Sequence, residues 1–216
     1  VRNVRRMSAL DQGCALTIGN FDGLHRGHQA IVRQLRQRAQ ALGVPSVLMS
    51  FEPMPREFFA PERAPARLSS PREKMRMAQA LGVDIFAWAR FDAEFAGMSP
   101  HAFLEDLLSA RLNAHYLLVG EDFRFGQKRA GDIETLRAFA HDREMEVAPL
   151  PDVQVDGARV SSTRVRDALA AGDVAQANRL LGHAYWVSGR VVHGERLGRT
   201  LGFPTANIRL ARKPAP

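Results

Sequence analysis

From residue 14 to residue 181 the chain alternates short apolar runs rich in strand formers with longer segments whose apolar residues recur every three or four positions. That alternation narrows the possible folds more than any other feature. It implies right-handed βαβ units, a mostly parallel sheet covered on both faces, and ligands at the carboxyl ends of the strands. Strands are predicted over 14–18, 46–51, 84–89, 116–119 and 146–148. The first helix carries Ile31, Val32, Leu35, Ala39 and Leu42 on one face, with Gly43 at its stop and Pro45 beyond. Ser70-Pro71-Arg72-Glu73 is a capping box with proline at the first helical position, predicting a helix to about Leu81. Ser99-Pro100 repeats that start for a helix to about Leu112, and further helices are predicted over 132–143, 163–170 and 173–181. After Tyr185 the character changes to Val187, Val191 and Val192 among glycines, the first hairpin of a β domain.

Composition removes several classes of function. Hydrophobic residues at 45% and charged residues at 25% suit a folded chain with a sizeable core. No apolar run approaches the roughly 18 residues of a membrane span, and no signal segment opens the sequence, so a cytoplasmic protein without a membrane partner is expected. Cys14 is the one cysteine, which excludes an internal disulfide and a multi-thiolate metal site. A packed thiol is expected there. The net charge of +7 suits an anionic partner, but the arginines are scattered without a basic tail or patch, so nucleic acid is not expected to be that partner.

The loop 19–28 reads Gly-Asn-Phe-Asp-Gly-Leu-His-Arg-Gly-His and lies where the first strand hands over to the first helix. Phosphates bind at that place in such sheets, because helix-terminal amides point at the ligand. Gly27 lets a phosphate approach the backbone, and His25 and His28, three apart, share a helical face and can grip one phosphate chain. By spacing alone the pair could be ordinary surface or core residues. Zinc ligation by the pair is the other reading, but no third ligand is evident nearby, and no metal ligand is assigned. Later, residues 160–166 (Val-Ser-Ser-Thr-Arg-Val-Arg) open a predicted helix. Ser162 or Thr163 reads as an N-cap, while Arg164 and Arg166 in a first turn oppose the helix dipole unless an anion or another partner offsets them. Residues 120–128 have a P-loop flavour, but the glycine spacing fails the motif.

Residues 17–28 resemble the signature of bacterial riboflavin kinase/FAD synthetases, and the histidine-x-glycine-histidine core resembles that of the wider nucleotidyltransferase superfamily. Class I aminoacyl-tRNA synthetases share that core too, but the lysine-methionine-serine-lysine-serine loop they add is not supplied by Lys74-Met75-Arg76. The resemblance implies a Rossmann-like nucleotidyltransferase domain over 1–183 and the start of a β-barrel riboflavin kinase domain over 184–216. It implies FMN adenylyltransferase activity, with ATP and FMN as substrates and Mg2+ as cofactor. His25, His28 and Arg166 are then the catalytic set. Gly19, Phe21, Gly27, Asp122, Arg159, Ser162 and Thr163 are the nucleotide and phosphate contacts, and Arg164 faces solvent. Asp122 lies in a loop resembling the family's glycine-x-aspartate-phenylalanine-x-phenylalanine-glycine element. Residues 51–55 resemble a flavin-side loop, although many members have histidine where Met54 stands.

FMN carries an ionised phosphate and needs neither a base nor a covalent enzyme intermediate, so the residues implied suit positioning and charge stabilisation. In the tail, 189–194 and 198–207 resemble the opening of the kinase domain, and Thr205 and Asn207 would share one face toward magnesium and ATP. Residues 184–216 number fewer than the about 50 an independent domain needs. No kinase activity is therefore expected, and Val1 in place of methionine suggests a fragment. Two alternatives stand: a related nucleotidyltransferase with another phosphate acceptor, or a non-catalytic flavin- or nucleotide-binding fragment. Oligomeric state is not encoded in any recognisable pattern.

Overall fold

The computed structural model describes residues 2–3, 9–194, 197–200, 202, 203 and 205–210. Its centre is a six-stranded sheet: β1 (Arg2–Asn3), β2 (Cys14–Ile18), β3 (Ser46–Glu52), β4 (Ile85–Arg90), β5 (Ala114–Val119) and β6 (Glu146–Pro149), in spatial order β1-β4-β3-β2-β5-β6. Every neighbouring pair is parallel. The chain lays β2, β3 and β4 outward in one direction, then returns to the other side of β2 for β5 and β6. That reversal opens a crevice beyond the carboxyl ends of β2 and β5.

Both faces of the sheet are covered, which is why the central strands read as unbroken apolar runs. On one face α1 (Arg26–Leu42) packs Ile31, Val32, Leu35 and Ala39 against Ala15, Leu48 and Leu118. It ends where Gly43 takes φ 67°, and α2 (Pro55–Phe59) is a short turn after β3. α3 (Pro71–Ala80) joins that face through Ala78, and its start is the expected capping box between Ser70 and Glu73. The short α4 (Ala93–Ala96) follows β4.

On the other face Cys14, Leu16, Ile18, Met49 and Leu117 meet Phe103, Leu104, Leu107, Leu108 and Leu112. The helix expected from Ser99 is α-helical only over α5 (Pro100–Ala102) and continues as a π-helix over Phe103–Arg111. Its wider turn keeps residues 103, 107, 108 and 112 facing the sheet, as ordinary 3.6-residue spacing would not. α6 (Ile133–His141), capped by Asp132, completes this layer.

Past β6, a two-stranded hairpin of β7 (Gln154–Val155) and β8 (Ala158–Arg159) turns through Asp156 and Gly157, both at positive φ. The strand reading of the sequence omitted it. α7 (Ser162–Ala170) and α8 (Val174–Leu181) then pack on each other and on Leu68 and Val160 as a separate small core. β9 (Gly189–Val192) and β10 (Asn207–Leu210) pair antiparallel, with the short α9 (Leu197–Thr200) between them. This is the hairpin expected after Tyr185. Leu201, Pro204 and 211–216 of the tail lie outside the described residues, as does Val1.

Candidate active site

A cavity of about 540 Å³ occupies the crevice where the strand order reverses. Its walls come from four places: Asn20, Phe21, His25, Gly27 and His28 after β2, Asp122 after β5, Leu150, Pro151 and Val153 after β6, and Arg159 to Ser162 at the start of α7. The amino ends of α1 and α7 therefore converge on one space. Each end carries unpaired N–H groups and a partial positive charge, so an anion placed between them is favoured twice over.

His25 is the N-cap of α1, and its Nδ1 accepts the His28 N–H at 3.4 Å. That bond requires an unprotonated Nδ1 and leaves the proton on Nε2. The His28 ring stacks on it with centroids 3.7 Å apart and meets the Phe21 ring edge-on. Burial lowers the His25 pKa to about 4, against an opposing pull from Asp22. His28 is held well below its ordinary value by burial first, then by the charges of His25 and Lys74. Two neutral rings can stack this closely, whereas two imidazolium ions would repel. A Cβ on Gly27 would sit 3.1 Å from the His25 ring, so the glycine is needed for the ring's seat as well as for backbone approach.

Phe21 lines the cavity yet is nearly all buried, and the Cβ that Gly19 lacks would press on its ring. Ser161, rather than Ser162 or Thr163, caps α7 by accepting the Arg164 N–H. Ser162 lines the cavity but donates its hydroxyl to the Asp22 carbonyl at 2.9 Å. Thr163 is exposed in the next position. Arg159 lines the cavity, with Asp152 3.9 Å from its Nε.

Arg166 donates to the Ala66 carbonyl at 2.6 Å and to the Asp22 carboxylate at 2.7 Å, behind the cavity wall. Arg164 does not face solvent: it donates to the carbonyls of Val155, Ala158 and Arg159 and so clamps the β7–β8 hairpin. Each arginine thus has an oxygen partner that offsets the helix dipole. Asp122 is exposed on the cavity rim, folded back over Gly120. Thr205 and Asn207 line no part of this cavity; Asn207 opens β10 opposite Val192.

The profile of the FAD synthetase family matches residues 7–164 of this chain. The chain belongs to the FAD synthetase family. A second profile, riboflavin kinase, matches residues 181–216. The bifunctional riboflavin kinase/FMN adenylyltransferase of Escherichia coli K12 is 45% identical over the whole of this chain, which spans 69% of that relative. The protein of the same description from Pseudomonas fluorescens is 46% identical with the same coverage. A crystal structure described as a macrolide-efflux protein from Streptococcus pneumoniae superposes with a TM-score of 0.79 at 29% identity, covering 98% of this chain and 68% of that one. The α/β nucleotidyltransferase-like architecture and the start of a flavokinase domain agree with the expectations from sequence.

Several residues around this cavity were not foreseen. Asp22 is buried, and its carboxylate accepts from the Leu68 and Ser69 amides at 3.0 and 2.9 Å, from the Ser69 hydroxyl and from Arg166. It ties the loop after β2 to the start of α7, within a loop that holds Phe21, Gly23 and Leu24 at positive φ, a conformation that costs energy at Phe21 and Leu24. Lys74 is buried beneath the same loop with its ammonium on the Asn20 carbonyl, and burial lowers its pKa to about 8. Arg67, nearly buried, holds Glu52 with two parallel bonds and also holds Glu57. The only sequence signal for these was an acidic residue inside a glycine-punctuated loop and a lysine on an otherwise helical face.

Proposed function

We infer that this chain is an FMN adenylyltransferase, making FAD and pyrophosphate from FMN and ATP. The observation that carries the reading is the convergence of two helix amino ends and two stacked, neutral histidines on one cavity at the switch point of the sheet. An oxygen of the FMN phosphate forms the new bond to the α-phosphorus of ATP while the bond to the β-phosphate oxygen breaks, and pyrophosphate departs with that electron pair. No proton needs to be removed from the nucleophile.

The work left for the protein is alignment of two polyanions and stabilisation of the charge that grows on the equatorial and leaving oxygens. His25 and His28, as neutral rings, offer ring N–H groups as donors to the polyanion. Backbone N–H groups at Phe21 and Gly27 and at Ser162 and Thr163 supply dipoles, with Arg159 at the rim and Arg166 behind. Gly19 keeps the loop backbone close to the ligand. ATP arrives with Mg2+, and Asp122, the one carboxylate among the described lining residues, suits an ion that keeps most of its ligands from phosphates and water. When bound with the nucleotide, such an ion would supply Lewis-acid stabilisation of the phosphate charge, with Asp122 the residue that would hold it. Asp122 and Arg159 complete the proposed nucleotide contacts.

Flavin as acceptor is supported by an aromatic cluster beside β3: Phe51, Phe58, Phe59, Phe91 and Phe95 meet mostly edge to face, with Phe91 and Phe95 tilted, and Phe58 and Phe59 are exposed. Met54 is buried at the start of α2 and offers no histidine chemistry there. We place the boundary between the two domains at 183/184, with Thr205 and Asn207 as kinase-side contacts, and the reaction in the cytoplasm. Incubation with ATP, Mg2+ and FMN should yield FAD and pyrophosphate. Nicotinamide mononucleotide or phosphopantetheine in place of FMN should yield no adenylated product. His28→Ala should lower kcat at least 100-fold with the FMN affinity within a few-fold of wild type. Transfer to another acceptor but not to FMN would refute the reading.

A further inference from the structure

Lys74 stands apart from the neighbouring cations. Arg67 and Arg166 each hold a carboxylate, whereas the Lys74 ammonium donates to the Asn20 carbonyl at 2.5 Å and to the Ser50 hydroxyl at 3.3 Å, over the Trp88 ring, with no carboxylate in contact among the described residues. Lys74 as a residue is 2% exposed. A buried charge without a counter-ion is costly, and sites that tolerate the cost are commonly functional. The charged groups around it are Asp22 in the loop, Glu52 on β3, Glu57 on α2, Arg67 and, on α1, His28.

The Asn20 carbonyl also accepts the Ser50 hydroxyl at 3.1 Å, so two donors fix it beneath the loop. In a trans peptide the next N–H points opposite to the carbonyl, and Asn20 and Phe21 both line the cavity. We propose that Lys74 is a positioning residue for adenylyl transfer, acting through the Asn20–Phe21 peptide to turn the Phe21 N–H toward the phosphates of ATP while its own charge faces the bound anion from below. The proposal rests on the adenylyltransferase reading.

The test compares the full chain with Lys74→Met and Lys74→Gln, the second keeping a neutral donor should the first not fold. Three quantities are read: kcat and KM for FAD formation, thermal stability, and the Phe21 amide proton resonance on addition of Mg-ATP without FMN. A folded variant with kcat reduced at least tenfold, FMN KM within about threefold, and the downfield shift of the Phe21 amide present in wild type but lost in the variant supports the proposal. A folded variant with wild-type kcat, a Phe21 amide that moves equally in both proteins, or one that does not respond in wild type overturns it. Absence of FAD from wild type would sink the adenylyltransferase reading, while the amide response, which needs no turnover, still reports on Lys74 separately.

Discussion

Asp22 is where the loop after β2 and the start of α7, far apart in sequence, become one object. Its carboxylate is 2% exposed and pairs with Arg166, and its carbonyl accepts from Ser162. Removing one partner of a buried pair leaves the other charge uncompensated, which typically costs about 3–5 kcal/mol. Asp22→Asn should therefore lower the urea unfolding free energy by about 3 kcal/mol. Adding Arg166→Gln to it should cost clearly less than Arg166→Gln costs alone, because the orphaned charge is gone. Simple additivity in that double-mutant cycle would mean that the pair is not coupled. His25 and His28 were legible as candidates from spacing and loop position, whereas the stacking of their rings and the tautomer set by the His28 amide were not, because both depend on how the backbone enters α1.

At the scale of elements, starts and stops were read most securely where local chemistry alone sets them. Ser70 and Glu73 form the capping box that the sequence announces, and Gly43 ends α1 at positive φ. Ser70→Ala removes a side-chain acceptor for the Glu73 N–H and should cost about 1 kcal/mol, measurable as a lower urea midpoint with unchanged slope. Glu73 does more than cap: its other oxygen accepts the Ser188 amide and hydroxyl at 2.5 and 2.8 Å, joining α3 to the segment that leads into β9. The helix after Ser99 was expected as plain α and is mostly π, since contact with the sheet outweighs intrinsic geometry there. The β7–β8 hairpin was missed although Asp156-Gly157 is a strong turn signal, because two-residue strands give no alternation to read.

For the molecule as a whole, the buried titratable groups shape stability against pH. The histidines are held neutral in the folded chain, with His25 near 4, so between an ordinary value of 6.5 and about 4 the unfolded chain binds more protons and stability falls on acidification. Lys74 has a folded pKa of about 8 against 10.5, so the unfolded chain again binds more protons between those values, and this group makes stability rise with pH there. Urea unfolding from pH 4 to 9, below the range in which the Cys14 thiol, pushed up to about 12 by burial, adds a slope of opposite sign, should show both slopes, and Lys74→Met should abolish the upper one; an unchanged upper slope would assign it to another group.

The alternation of strands and helices, the covered parallel sheet and the two segments that line the cavity were written in the sequence, because hydrophobic period, caps and glycines act over a few residues. What tertiary structure alone decided was the partnership of Asp22, Lys74, Arg166 and Ser162. Those contacts join residues many positions apart, and only the reversal of strand order between β2 and β5 brings the two helix amino ends together.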